Sequence, residues 1–309
     1  MINNLHEPIT YVYLETTNFC NLECSFCNRN EVVKHAKHMS IDKWKFVLEK
    51  LKDHPIAEAK LMGLGEPFLH PKFSEICKIF KEYFPKAFVI VATNCQYKIT
   101  DNFTNALKYI DLLYLSIDGY KNSYEKFRPP SKWDKLIKFL EELKKVNRFN
   151  CKITCNYVVN KENIEDIKHV NSLCRKYNLD ELRLNIAQNW SENKSLNDEK
   201  KISGYSEEQV KYIKDNFKSN VKGKAPWTWS DCFWVKRGLY MTVDGDLKVC
   251  AINTDTASIG NIFVDDINSV LNSTRMKKIR TGCHSNKPEQ HCKNCSYKEL
   301  SPLLQKIFE

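Results

Sequence analysis

Apolar residues along positions 11–190 recur in two alternating rhythms. Short runs rich in β-branched and aromatic residues at 11–17, 59–63, 87–93, 112–118, 152–159 and 181–188 predict strands. Between them the spacing is helical. After Ser40, a suitable N-cap, Ile41, Trp44, Val47, Leu48 and Leu51 share one face. Trp133, Leu136, Ile137, Leu140 and Leu143 repeat that spacing, as do Ile164, Ile167, Val170 and Cys174. Six strands alternating with helices make parallel βαβ units, and strands this apolar suit a sheet buried on both faces. The expected class is α/β, with a partial or complete barrel. Reactive loops in such folds gather at the carboxyl ends of strands, and the stretch after the first strand carries three cysteines.

Beyond residue 190 the texture changes. Residues 189–205 are polar and loop-like, 206–218 read as a helix, and from Lys222 the chain is aromatic, Gly-punctuated and cysteine-bearing. A domain boundary is expected near 220. Within 238–249, Val243-Asp244-Gly245-Asp246-Leu247 predicts a hairpin with an Asp-Gly turn. With 309 residues, 42% of them hydrophobic, the chain can bury one large core and a smaller one. It has no signal peptide and no apolar run of about 18 residues, so the expectation is a cytoplasmic protein with no membrane association.

The net charge of +10 comes from lysines dispersed over helices such as 131–147, a solvated surface more than a nucleic-acid footprint. An anionic small substrate fits that charge as well. Thirteen cysteines, an odd number without a secretion signal, argue for metal or redox chemistry over a disulfide framework. Cys77, Cys95, Cys151, Cys155 and Cys174 fall in apolar patterns and are expected to be buried and inert. The other eight cluster near the two ends of the chain.

Cys20-Asn21-Leu22-Glu23-Cys24-Ser25-Phe26-Cys27 forms the first cluster. Three thiolates hold three irons of a cubane that normally takes four ligands, which leaves one iron able to bind and activate a molecule. A zinc knuckle or unrelated thiols are the alternative, but structural zinc takes four ligands and no fourth is close in sequence.

This spacing, with the aromatic Phe26 before the third cysteine, resembles the radical S-adenosylmethionine (SAM) superfamily over residues 11–190. The resemblance implies that Cys20, Cys24 and Cys27 hold a 4Fe–4S cluster whose open iron binds SAM. It also implies one-electron cleavage of SAM to a 5′-deoxyadenosyl radical, and a flavodoxin- or ferredoxin-type electron donor. Gly63-Leu64-Gly65-Glu66-Pro67 matches the family's Gly-Glu motif, which receives the SAM ammonium; glycines permit close approach and a carboxylate suits a cation. Ala92-Thr93-Asn94 resembles the family's Thr-Asn-Gly, with Cys95 where Gly is usual. Ser116 and Arg128 resemble SAM contacts, Arg128 toward the carboxylate, while Asn156 and Asn185 stand where ribose contacts fall. Each also has a plainer reading as a strand-end or surface group. Asp118, Asn156 and Arg183 are candidates for proton removal, subject to strand register.

Cys232, Cys250, Cys292 and Cys295 supply four thiolates in two pairs, enough to close a 4Fe–4S cluster that relays electrons. Their layout resembles the twitch/SPASM-like extension of the superfamily, and the spacing resembles that of the twitch dehydrogenase of butirosin biosynthesis. The implied architecture is a partial (β/α)6 TIM-like barrel over 1–220 and a small α+β twitch/SPASM-like domain over 221–309. Cys283 is left over. Structural zinc, with His284 and His291 as spare ligands, is the alternative for this cluster.

An auxiliary cluster suits the oxidation of a substrate radical. The expected reaction is a two-electron oxidation of a small polar molecule, sugar- or aminocyclitol-like, and the shortness of the stretch before Cys20 favours it. Peptide or protein maturation by crosslinking, epimerisation or formylglycine formation is the alternative. The molybdenum-cofactor cyclase is similar in plan, but its Gly-Gly tail is absent from Gln305-Lys306-Ile307-Phe308-Glu309. A zinc-ribbon nucleic-acid binder would need basic and aromatic residues alternating along a groove, whereas Trp227, Trp229, Phe233 and Trp234 cluster around Cys232.

Overall fold

The computed structural model describes residues 7–187, 204–223, 228–252, 258–293 and 295–309. Most of the expected loop 189–205, the end of the sixth expected strand at Gln188, and Trp227 lie outside the described residues. The strands are β1 (Tyr11–Leu14), β2 (Glu58–Lys60), β3 (Phe88–Thr93), β4 (Leu112–Ser116), β5 (Lys152–Val159), β6 (Glu181–Ile186), β7 (Gly238–Met241), β8 (Asp246–Lys248) and β9 (Gly260–Asn261). They form one sheet in the order β6-β5-β4-β3-β2-β1-β7-β8-β9. From β6 to β7 every pairing is parallel, and β7–β8 and β8–β9 are antiparallel. The architecture is an open, partial α/β barrel with a smaller α+β part at the carboxyl end. None of the described helices is long and apolar enough to cross a membrane.

The helical faces form as their spacing predicts. Ser40 Oγ accepts from Lys43 N at 3.3 Å and caps helix Ile41–Leu51, whose Trp44, Val47, Leu48 and Leu51 are buried. In helix Trp133–Leu143 the buried face is Leu136, Phe139, Leu140 and Leu143, so the stripe turns toward Phe139 and leaves Ile137 and Trp133 partly covered. Ile164 opens a short turn that runs into helix Ile167–Lys176.

The expectation of a sheet apolar on both faces is corrected. Val12, Leu14, Ala59, Val89, Val91, Leu113, Leu115, Ile153, Cys155, Leu182 and Leu184 alternate along their strands and are buried in the main core. The alternate residues face the lumen, and these include Tyr11, Tyr13, Lys60, Tyr114, Asn156, Arg183 and Asn185. The lumen is polar because it is a chamber, not a second packed layer. Strands β1, β2, β4 and β6 also end earlier than expected, as their carboxyl ends give way to side-chain-capped loops.

The Asp-Gly hairpin forms between β7 and β8, with Gly245 at φ +83°, where an L side chain is strained. Its first strand lies against β1, with Tyr13 opposite Tyr240. Glu15, just past β1, ties the two parts together: one carboxylate oxygen accepts from Leu64 N at 2.8 Å and the other from Val243 N at 3.1 Å. Burial pushes this carboxyl up to about 7 despite those two donors. Glu15→Ala orphans two backbone donors and is expected to cost about 2–5 kcal/mol. Denaturant unfolding checks this, and an unchanged midpoint would remove Glu15 as a tie.

Candidate functional site

The Cys20–Cys27 loop is held from three sides. Glu23 N donates to Pro129 O at 2.6 Å and Ser25 N to Phe127 O at 3.0 Å, while Glu66 N donates to Phe19 O at 2.8 Å. A Cβ on Gly65 would clash with Thr17 O and stand 2.7 Å from Phe19 O, so only glycine lets the two loops meet. Within the loop, Cys27 N donates to Cys24 O at 3.0 Å, a turn that brings the second and third thiols round. All three cysteines are at least partly exposed as residues. Burial raises each, Cys24 to about 11, and each feels another as a like charge. Two N–H donors aim at the sulfurs: Arg128 Nη1 is 3.6 Å from Cys24 Sγ, and Asn94 Nδ2 is 3.7 Å from Cys20 Sγ. Such donors stabilise thiolate over thiol, the form that holds iron.

Several residues singled out in the sequence have other partners. Glu66 is 3% exposed, and its oxygens accept from Asn94 N at 2.7 Å, Thr93 Oγ1 at 2.9 Å and Phe68 N at 3.2 Å. In the structure the side chain fastens β3 to the glycine loop. Desolvation pushes it up to about 7 against those donors. Gly63 makes its close approach to the Glu15 side chain. Cys95, in the glycine position of the third strand's motif, adopts φ +60° and is buried, so the turn is kept at a cost of about 1–2 kcal/mol.

Asp118 is likewise engaged by protein partners. It is 0% exposed, accepts from Arg128 Nε at 2.6 Å and Val158 N at 2.6 Å, and is ion-paired to Arg128 Nη2. Arg128 therefore meets Asp118, and its guanidinium also lies 5.3 Å from the Phe26 ring centre. Burial would favour losing the Arg128 proton, but Asp118 and Cys24 hold it charged. Asp118 itself is raised by desolvation, with Arg128 opposing.

A cavity with about 530 Å³ of empty space, part of it open to solvent, lies beside the loop. Tyr13, Phe26, Cys27, Asn28, Gly63, Leu64, Tyr240 and Ala251 line it. The sequence reading found Phe26, Cys27 and Gly63 but missed Tyr13, Tyr240 and Ala251, which come together only because β7 pairs with β1. Deeper in the lumen, Asn185 Nδ2 donates to Asn156 Oδ1 at 2.6 Å, and Asn156 pairs in register with Ser116 on β4. Arg183 donates to Asn185 Oδ1 at 3.3 Å and to the Tyr114 hydroxyl. Asn156, Asn185, Ser116 and Arg183 thus share one wall.

At the other end, Cys232, Cys250, Cys292 and Cys295 converge, and Cys283 joins them. Cys283 is 1% exposed, packs with Val235, Val249, Met276 and Ile279 against Cys232 and Cys292, and its thiol meets that of Cys292. No spacing rule signals it, because it comes from the buried face of helix Thr274–His284. Burial pushes Cys232 up to about 12 and Cys295 to about 11, so binding metal here would release protons. His284, a spare zinc ligand in the alternative reading, is exposed, and the side chain of His291 lies outside the described set. Among the described residues no three His, Cys, Asp or Glu side chains meet closely enough for a single metal ion. A second apolar cluster joins Trp234, Tyr240 and Ala251 to Tyr11, Tyr13, Cys232 and Cys250. Tyr13 and Tyr240 therefore belong both to the cavity and to the packing around the auxiliary thiols. Cys77, Cys95, Cys151, Cys155 and Cys174 are all buried.

The sequence profile of the Radical SAM superfamily matches residues 14–174, and that of an iron-sulfur cluster-binding domain, SPASM, matches residues 232–296. The chain is similar to the sporulation killing factor maturation protein SkfB of Bacillus subtilis (strain 168), 26% identical over 173 residues. That match covers 52% of this chain and 38% of SkfB, so the matched stretch spans well under half of that relative's length. Native anSMEcpe with bound AdoMet and Cp18Cys peptide shares the fold at TM-score 0.70 and 14% identity, covering 97% of this chain and 96% of that one. BtrN in complex with AdoMet and 2-DOIA shares it at TM-score 0.57 and 15% identity, covering 94% of each.

Arg128→Met leaves Asp118 buried and unpaired and is expected to cost about 3–5 kcal/mol. Asp118→Asn in the same chain should recover most of the loss. Denaturant midpoints of the single and double variants check this, and identical midpoints would show that the ion pair holds nothing together.

Proposed function

The chain belongs to the radical SAM superfamily, and we propose that it matures a peptide by radical oxidation. Its catalytic agents are S-adenosylmethionine and 4Fe–4S clusters, and it acts on a small molecule or a peptide through radical chemistry. In this reading Cys20, Cys24 and Cys27 hold the SAM-binding cluster, and Cys232, Cys250, Cys292 and Cys295 hold the auxiliary one. The residues suit those groups: three thiols on one short loop with an adjoining cavity, and a set of largely covered cysteines packed together at the other end. Loaded, the two centres supply the one-electron cleavage of SAM that yields a hydrogen-abstracting radical, and a destination for the second electron of the oxidation.

The protein's own part is positional. Arg128 and Asn94 donate to the sulfurs of Cys24 and Cys20. Phe26, Gly63 and Leu64 wall the cavity, and Tyr13 and Tyr240 close its inner side against bulk water. The observation that carries the reading is the double membership of Tyr13 and Tyr240. They line the cavity and also pack with Cys232 and Cys250, so substrate and electron acceptor would be separated by a thin aromatic layer.

A peptide is favoured over a small alcohol by two likenesses. One relative is named for maturation, and the structure sharing the fold at the higher of the two TM-scores holds a peptide. The aminocyclitol-type alcohol is the second reading, favoured by the cysteine spacing. The anaerobic enzyme, given SAM and an electron donor, is expected to transfer deuterium from a side-chain-deuterated peptide into 5′-deoxyadenosine. Transfer from deuterated aminocyclitols alone would replace the peptide by the alcohol. Cys24→Ala should abolish SAM cleavage, whereas Cys292→Ala should leave cleavage uncoupled from product, and normal product from that variant would remove the auxiliary centre as acceptor.

A further inference from the structure

The lumen below the cavity holds two cations that no carboxylate among the described residues pairs with directly. Lys60, the last residue of β2, points inward, with its Nζ 5.6 Å from the Tyr11 ring centre and 5.7 Å from that of Tyr13. Arg183 reaches in from β6 across the barrel, its guanidinium 5.0 Å from the Tyr114 ring centre. Among the described residues neither cation has a carboxylate within 4.0 Å, the limit for an ion pair. Glu181, on the same face as Arg183, is already taken by Lys222 at 2.7 Å and Lys152 at 3.1 Å. Glu58, one row toward the amino ends of the strands, tempers the field without pairing with either cation.

Placing two like charges in a partly desolvated chamber is costly unless something else repays it. The strain is visible at Lys60, which burial pushes down to about 8; Glu58 opposes the shift, and Arg183 adds a smaller push in the same direction as burial. Among the described residues each cation is met at close range by hydroxyl, amide or ring groups, which satisfy donors without neutralising charge. Tyr13 lies beside Lys60 and also lines the cavity, so a group bound by the cations would lie across this ring from the cavity.

We propose that Lys60 and Arg183 form the substrate-recognition subsite of this enzyme and bind a carboxylate of the peptide, an acidic residue next to the one that is oxidised. The proposal rests on reading the barrel as a peptide-maturing chamber. A carboxylate between the two cations would replace their repulsion by two charge-assisted contacts, Arg183 offering a planar fork and Lys60 a point charge. The net charge of +10 over the whole chain would draw an acidic peptide toward the opening.

The test is protection of Lys60 from acetylation by acetic anhydride, read by peptide mass spectrometry on the anaerobically reconstituted enzyme with SAM. The probes are acetyl-Ala-Glu-Ala-amide, acetyl-Ala-Gln-Ala-amide and sodium phosphate, at one ionic strength. The Glu peptide is expected to slow labelling of Lys60 about tenfold relative to the Gln peptide, the discrimination of one charge-assisted hydrogen bond, while Lys108 on the surface is unaffected. Arg183→Met should erase the preference between the two peptides. Equal protection by both peptides, or by neither, would overturn the subsite, and stronger protection by phosphate would overturn its assignment to a carboxylate. Labelling requires no turnover. Its failure therefore leaves the peptide reading intact, and an absence of deuterium transfer from peptides would leave the anion subsite intact.

Discussion

Strand β1 is paired in parallel on both sides, to β2 and to β7, and most of the functional geometry follows from that one arrangement. Four residues of backbone fix the direction of the loop bearing Cys20, Cys24 and Cys27. The same four residues seat the hairpin that leads to Cys250. Because side chains alternate along the strand, Val12 and Leu14 anchor it in the apolar core while Tyr11 and Tyr13 face the lumen. Pairing with β7 then lays Tyr240 against Tyr13 with ring centres 5.5 Å apart, edge to face, and the aromatic layer between cavity and auxiliary thiols is complete. Two thiol sets far apart in sequence are thus coupled through hydrogen bonds of a single short ladder.

What the sequence made legible was the chemistry that depends on neighbours along the chain. Cys20, Cys24 and Cys27 were readable because one cluster needs its ligands on one loop. Helix Ile41–Leu51 was readable because its core contacts repeat every turn. What it hid was set by tertiary partners. Glu66 looks like a free carboxylate in a family motif, but β3 supplies Asn94 N and Thr93 Oγ1 to its oxygens. Asp118 looks like a lumen acid until the strand ends two residues earlier and the side chain turns to Arg128. Cys283, Glu15 and Tyr240 carry no spacing signal at all. The clue for Glu15 and Tyr240 was a polar group at or within an apolar run, and for Cys283 its place among the carboxyl-terminal cysteines.

The contrast between the two faces of the sheet also separates stability from specificity. The outer face is packed with branched and aromatic side chains that only a volume-conserving change would leave undisturbed. The lumen face carries lysine, arginine, asparagine and tyrosine, and Arg183, Asn185, Asn156 and Tyr114 hydrogen-bond to one another along one wall. Changes there alter what the chamber accepts more than whether the barrel forms, with the buried Asp118–Arg128 pair at its rim as the exception.

The continuity of the sheet bears on how the protein can be divided. Were the chain cut ahead of β7, Tyr11–Leu14 would become a bare rim of parallel backbone, its amides and carbonyls ready to recruit another polypeptide. The barrel and its carboxyl-terminal partner are therefore one folding commitment. Exchanging the latter between relatives would mean transplanting a strand that the former needs in order to stay monodisperse.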